Sequence, residues 1–440
     1  MPSHFRDQQA TENKEFSVPT HDDDICESGH WKRGARSGGK RVDGPEAAAT
    51  RSWPRLAILW LLGIDLRLTI LAVPPVLPLI HQQLHLDEKS VAALTGLPVL
   101  LFGLAAIPGS LLIARLGARR AAIAGILLVA VGSALRGVGP SVPMLFAMTA
   151  VMGAGVAVMQ PALPTLVGAW FAGRVPLATA VYANGLLIGE MLAASLTIPF
   201  VLPLLGGSWP ASFVFWSVPV LATAFLVLFA TPHVRVRARH ARMLWWPDWR
   251  DLRTWQLGFV LGGVSALYFG CNAFLPGYLH AIGRPGLVDA GLTALNTGQV
   301  PASFMIMALG RRIVGRRAPF IALALVGLVS LGGLLVPSAP VMIAAAGLIG
   351  FAAAGGLILC LALPPLLARQ DDVHRMAAGM LAIGYATSFL VPYLGGAVWD
   401  ATHLTTAALF PGVVGTLMVV VMAASVRLEP ALRLSTGTGR

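Results

Sequence analysis

From residue 55 onward the chain alternates long apolar runs with short polar breaks of charge, proline or glycine. A helix needs about 20 mostly apolar residues to cross the hydrocarbon core of a bilayer. Read against that length, the runs predict twelve spans, at 55–80, 91–114, 120–138, 143–165, 177–203, 211–231, 255–279, 287–309, 318–336, 341–367, 377–398 and 404–425. Residues 1–54 contain no comparable run, and no charged segment before a short apolar stretch that would mark a cleaved leader. Gly, Ser, Asp, Lys and Arg dominate there and predict a disordered tail.

Composition agrees with the pattern. Of 440 residues 56% are hydrophobic and only 12% charged, and the mean hydropathy is +0.73. Soluble domains carry about 25% charged residues, so a soluble fold would lack polar surface. Disorder of the whole chain is excluded by the same numbers, because it needs low hydrophobicity and high charge. Three cysteines, Cys26, Cys271 and Cys360, are too few for a disulfide framework.

The net charge of +12 changes meaning once it is divided along the chain. Residues 1–54 hold eight basic and nine acidic side chains, while residues 55–440 hold 24 and 11. The basic residues cluster in short loops between spans, unlike a nucleic-acid-binding face. With the N-terminus in the cytoplasm, inner loops hold Arg115, Arg119 and Arg120; Arg174; six arginines from Arg235 to Arg253; Arg311, Arg312, Arg316 and Arg317; and Arg369 and Arg375. Outer loops hold only Lys89 and Arg284. The bias predicts a multi-pass protein of a bacterial inner (plasma) membrane with both termini cytoplasmic.

An internal repeat organises the spans. Ala154, Gly155, Ala162, Leu163, Pro164 and Leu166 recur 200 positions later as Ala354, Gly355, Ala362, Leu363, Pro364 and Leu366. The loop Arg115-Leu-Gly117-Ala-Arg119-Arg120 is echoed by Arg312-Ile-Val-Gly315-Arg316-Arg317, and Tyr182-Ala183-Asn184 by Tyr385-Ala386-Thr387. An offset of six helices keeps both copies in one orientation. The expected architecture is therefore an all-α membrane protein of twelve transmembrane helices in two parallel six-helix repeats, with a substrate site between them at the midplane. The expected parts are a tail (1–54), an N-terminal bundle (55–231), a basic linker (232–254), a C-terminal bundle (255–426) and a second tail (427–440). The linker, with Trp245, Trp246 and Trp249, suits either an amphipathic stretch on the inner leaflet or a plain solvated loop.

These features resemble the major facilitator superfamily. In its loop motif Gly usually stands at the start and Asp before the first basic residue. Here Ser110 and Ala114 occupy those places, whereas Arg115, Gly117, Arg119 and Arg120 match. The resemblance implies a cytoplasmic gate at this loop, lacking its usual acid. A narrower resemblance spans residues 55–425. Asp65-Leu-Arg67, Leu97-Pro-Val-Leu-Leu-Phe-Gly103, Leu135-Arg136, Arg369-Gln-Asp-Asp372 and Tyr385 look like the cyanate/2-nitroimidazole transporter branch. Its members usually carry Asn where this chain has Asp65.

Ionisable residues inside spans mark pathways or proton sites by default. Four qualify: Asp65, Arg67, Arg136 and Glu190. From the helical rise, Arg67 lies roughly 18 Å and Glu190 roughly 20 Å from the inner edge, with Asp65 at about 15 Å. Arg136, at about 24 Å, is close enough to the outer surface to snorkel outward and form an ion pair or outer gate. Arg67 is expected to bind substrate, its fork of donors matching a small anion or a polarised oxygen. Glu190 is expected to carry the coupled proton, with Asp65 a second candidate. Gln160, Asn184, Asn272 and Tyr385 are expected to add polar contacts to the substrate. For each of these a structural use stands beside the functional one: a static Arg67–Glu190 pair locking span one to span five, or helix–helix hydrogen bonds.

No GxSxG, HExxH or phosphate-cradling motif with Lys and Ser/Thr is present. His21, Asp22, Asp23, Asp24, Cys26 and His30 fit no standard metal spacing. The expectation is a secondary active transporter, coupled to protons, with no cofactor, metal or nucleic-acid partner and compatible with a monomer. A proton-linked exporter of hydrophobic compounds and a transport-inactive membrane sensor are the alternatives.

Overall fold

A computed structural model describes residues 53–86, 88–139, 141–230 and 244–426. The expectations for the N-terminal tail and its His/Asp/Cys cluster, for most of the linker and for the C-terminal tail fall outside those residues. Trp53 and Pro54, expected in the tail, already belong to the first helix.

The spans are α1 (Trp53–Leu84), α2 (Glu88–Leu104 with Ala106–Leu116), α3 (Ala118–Arg136), α4 (Val142–Trp170), α5 (Val175–Leu204) and α6 (Trp209–Ala230). They continue as α7 (Leu252–Ala281), α8 (Val288–Thr297 with Gln299–Ile313), α9 (Arg317–Gly333), α10 (Ala339–Leu367), α11 (Val373–Thr402) and α12 (Thr405–Ser425). Among the described residues nine of these are long and apolar enough to cross a membrane, and α2, bent by 51°, is a tenth. The shorter α9 and the two-piece α8 complete the predicted twelve. Several helices outrun their predicted spans, as α11 does (Val373–Thr402 against 377–398). Hydropathy sees only the hydrocarbon-depth stretch, while the backbone ladder continues into the polar zone.

Proline sets the interruptions. It cannot donate to the carbonyl four residues earlier, and its ring crowds that carbonyl. Helical segments accordingly stop at Leu71 before Pro75, at Leu104 before Pro108, at Thr297 before Pro301 and at Leu361 before Pro365. In α5 the ladder widens into a π turn over Thr197–Val201, which contains Pro199. Breaks of this kind are tolerated in a bilayer where the freed groups find protein partners.

Packing repeats the sequence symmetry. In the N-terminal set α1 packs on α5, α3 on α4, α3 on α6 and α2 on α4; in the C-terminal set α7 packs on α11, α9 on α10, α9 on α12 and α8 on α10. Between the sets, α2 meets α11 and α5 meets α8. Residues 49–440 form one compact unit, so the two sets are halves of a single body. Small residues permit the closest approaches. A Cβ on Gly185 would overlap the Trp60 carbonyl, and one on Gly63 the Tyr182 carbonyl, so α1 and α5 touch backbone to backbone. Large apolar side chains left exposed, such as Val131, Phe225, Phe229, Val329 and Val421, lie on α3, α6, α9 and α12. Such a surface suits lipid rather than water.

Candidate functional site

Arg67 stands in α1 between the two halves, half-buried. Among the described residues it makes no hydrogen bond and no ion pair within 4.0 Å. Its guanidinium lies over the Phe102 ring of α2, 5.7 Å from the centroid. Phe102 in turn meets the Tyr385 ring of α11 edge-on at 5.3 Å. Glu190 of α5, Tyr268 of α7 and Tyr385 are the titratable groups whose field reaches Arg67. An arginine so placed has free donors and a fixed aromatic floor, which suits a planar anion or a nitro or carbonyl oxygen.

Two tyrosines of the C-terminal half reach acceptors on the N-terminal half. Tyr385 Oη donates to Gln160 Oε1 at 2.9 Å, and Tyr268 Oη lies 2.9 Å from Glu190 Oε1. The second hydroxyl also lies 2.7 Å from Asn296 Oδ1 of α8. Asn272 and Asn296 are oriented by obligate acceptors: Asn272 Nδ2 donates to the Tyr268 carbonyl at 3.0 Å and Asn296 Nδ2 to the Leu292 carbonyl at 2.9 Å. Of the predicted residues, Arg67, Gln160, Glu190, Asn272 and Tyr385 therefore share one region. Arg67 and Glu190 are neighbours without being a closed ion pair, because Tyr268 engages the carboxylate. Sequence reading missed Tyr268 and Phe102. The available signal was the i, i+4 spacing of Tyr268 and Asn272, which places both on one helix face.

The structure uses the remaining candidates elsewhere. Asn184 accepts from Trp60 Nε1 at 3.0 Å and donates to Ser303 Oγ at 2.9 Å, joining α1, α5 and α8. Asp65 is buried beside Thr223 of α6, and its Oδ2 has no partner among the described residues. Two residues from Arg67 on a helix, it faces away from the space between the halves.

Arg136 corrects the expectation of outward snorkelling. It is 0% exposed, with Nη2 donating to the Thr69 carbonyl at 2.9 Å and the guanidinium 4.4 Å from the Phe213 ring centroid. The last turn of α3 is covered by α1 and α6, so its side chain lies inside the N-terminal half.

At the arginine-rich face the halves are clasped. Gln370, in the loop before α11, donates to the Thr165 carbonyl of α4 at 3.0 Å. Arg119 donates to carbonyls in the last turn of α6, including Leu228, while Arg115 and Arg120 are exposed and Gly117 supplies the turn with φ 82°. Ser110, where the motif usually has Gly, donates to the Trp245 carbonyl of the linker at 2.7 Å. Arg375 of α11 holds the next carbonyl, Trp246, at 2.9 Å. The linker segment is thus a strap gripped by both halves. Removing the Ser110 hydroxyl strands a carbonyl, at a cost of about 1 kcal/mol. Ser110→Ala should therefore speed tryptic cleavage at Arg250 and Arg253 about fivefold; an unchanged rate would remove the strap from the closure.

Both the arrangement and the chain itself have counterparts among known proteins. The family model described as "Major Facilitator Superfamily" matches residues 59–339. The cyanate transport protein CynX of Escherichia coli (strain K12) is 28% identical over 353 residues, covering 78% of this chain and 88% of that protein. The 2-nitroimidazole transporter of the same organism is 28% identical over 359 residues, covering 79% and 88%. Among solved structures, FucP, an E. coli fucose:proton symporter, superposes in its outward conformation with a TM-score of 0.67 at 16% identity, over 84% of this chain and 98% of that one. Two six-helix halves, clasped at a basic face around an unpaired arginine, agree with a match that covers well over half of the sequence: the chain belongs to the major facilitator superfamily.

Proposed function

We propose that this transporter carries a small, planar, anionic or strongly polar compound, with the classes named for its relatives, cyanate and 2-nitroimidazole, as the first candidates. The observation that carries the reading is the partnerless Arg67 guanidinium on its aromatic floor between the halves. Its donors fit a carboxylate, a cyanate or a nitro group, and Tyr385 with Gln160 lies next to it. Export of bulky lipophiles would need an apolar lining at the place where these polar groups converge.

In this proposal the arginine-rich loops are cytoplasmic, the membrane is a bacterial plasma membrane, and the coupled ion is the proton. The field of the unliganded Arg67 reaches Glu190. An anion bound at Arg67 cancels that field and lets Glu190 take a proton, so substrate and proton load together and the halves then rock about the site. Asp65 is a second proton candidate, buried and partly unpartnered.

The first test is a thermal-shift screen of the purified protein with potassium cyanate, 2-nitroimidazole and small carboxylates. A stabilising hit from these classes is expected; stabilisation only by large lipophiles would overturn the reading. The coupling is tested in proteoliposomes. Glu190→Gln should reduce proton-driven uptake of the hit to the gradient-free level and preserve exchange. Undiminished pH-driven uptake would remove Glu190 from the coupling.

A further inference from the structure

Donors and acceptors around Tyr268 do not balance unless Glu190 carries a proton. The Tyr268 hydroxyl has one hydrogen and two acceptors in reach, Glu190 Oε1 at 2.9 Å and Asn296 Oδ1 at 2.7 Å. Asn296 cannot escape the conflict by flipping its amide, because its Nδ2 faces the Leu292 carbonyl. When Glu190 is ionised, the carboxylate takes the tyrosine hydrogen, since charge-assisted bonds are the stronger ones. Asn296 Oδ1 then keeps only Gln299 Nε2, at a long 3.4 Å. When Glu190 is protonated, its own O–H donates to Tyr268 Oη, and the tyrosine hydrogen turns to Asn296. Every group is then satisfied.

The far end of this chain sits at a mechanically special place. Asn296 and Gln299 flank Gly298, where α8 is interrupted ahead of Pro301. A Cβ on Gly298 would overlap the Gly347 carbonyl of α10, so the interruption lies directly against its neighbour. α8 is also the helix that meets α5 across the halves, through Asn184 and Ser303. The charged and titratable groups facing Tyr268 are Glu190 of α5 and Arg67 of α1; α8 contributes only Asn296 and Gln299.

We propose that Tyr268 is a positioning residue that reports the protonation of Glu190 to the interruption in α8, by reversing the direction of the Glu190–Tyr268–Asn296 hydrogen bonds. The device rests on the reading of Glu190 as the proton carrier. It supplies what a carrier alone lacks, a mechanical consequence of being loaded: the protonated state adds the Tyr268–Asn296 bond to the contact that Asn296 Nδ2 makes with Asn272 Oδ1 of α7 at 3.3 Å, and the ionised state removes that added bond.

The experiment is hydrogen exchange of the purified wild-type protein, read on peptides covering 292–303 at the acidic and alkaline ends of its stable pH range and corrected for intrinsic exchange rates. Protection at the lower pH should exceed that at the higher by about fivefold, the equivalent of one ordinary hydrogen bond. Glu190→Gln, whose amide donates permanently to Tyr268, should be protected at both values. Tyr268→Phe should lose the pH dependence and exchange at the unprotected rate, and Asn296→Leu should also be pH-independent. A wild-type pH dependence retained in Tyr268→Phe, or absent from wild type, overturns the proposal. The readout needs no substrate, so it separates two failures. A pH switch present without proton-driven uptake sinks the transport reading alone. Uptake lost in Glu190→Gln with no switch at α8 sinks the relay alone.

Discussion

Arg67→Ala is expected to weaken binding of a cyanate or 2-nitroimidazole hit about 100-fold. The side chain has no hydrogen-bond or ion-pair partner among the described residues, only the Phe102 ring beneath it, so removing it strands no acceptor. The loss is then the loss of charge-assisted hydrogen bonds to the ligand, each worth about 1.5–3 kcal/mol, and two of them at the low end give two decades in affinity. Arg67→Lys separates charge from geometry. A lysine keeps the charge but offers a point donor in place of a planar fork, and should recover about one of the two decades. Isothermal titration of detergent-purified protein reads both variants, with melting temperature as the fold control. Equal affinity in wild type and Arg67→Ala would move the substrate site away from α1.

The largest expected loss of stability follows from Gly185→Val. At this position α5 lies against the Trp60 carbonyl of α1, and a backbone atom cannot swing aside as a side-chain end can. Overpacking typically costs about 1–3 kcal/mol, and a clash of this kind belongs at or above the upper end. It would also push apart the neighbouring Trp60–Asn184 bond that leads on to Ser303. The variant should lose most of its monodisperse yield and melt well below wild type. Gly286→Val is the control, because nothing lies within 4 Å of the added Cβ. Equal losses in both variants would show that the α1–α5 contact is not special.

Spans, the two halves and the arginine-rich face were legible in the sequence because each rests on a one-dimensional signal. Apolar length marks a crossing, arginine placement marks one face, and a constant offset marks duplication. The helix interruptions are half legible: the sequence shows the prolines Pro74, Pro75 and Pro78 in the first span, and only the spacing to the carbonyl four residues back places the break at Leu71. Side-chain partners were not legible. Arg136 counts as shallow by helical rise, yet α1 and α6 close over it, and covering is a property of neighbours rather than of depth. Asn184 and Gln160 look alike as polar residues in apolar helices. One is fully committed to Trp60 and Ser303, the other faces Tyr385 across the halves, and only packing tells them apart. Tyr268 was passed over because an aromatic in a span reads as filler until a carboxylate is found opposite it.

The strap over the basic face concentrates Trp245, Trp246 and Trp249 with Trp255 of α7, successive ring centroids being 5.2, 6.4 and 5.8 Å apart. Four of the chain's eleven tryptophans thus sit where Ser110 and Arg375 grip the linker. Their shared emission is a built-in optical gauge of that face. Parting the halves there would move several indoles from an array of edge-to-face and tilted rings towards lipid headgroups and water at once. The conformational cycle would then be visible in ultraviolet fluorescence, without attaching a label.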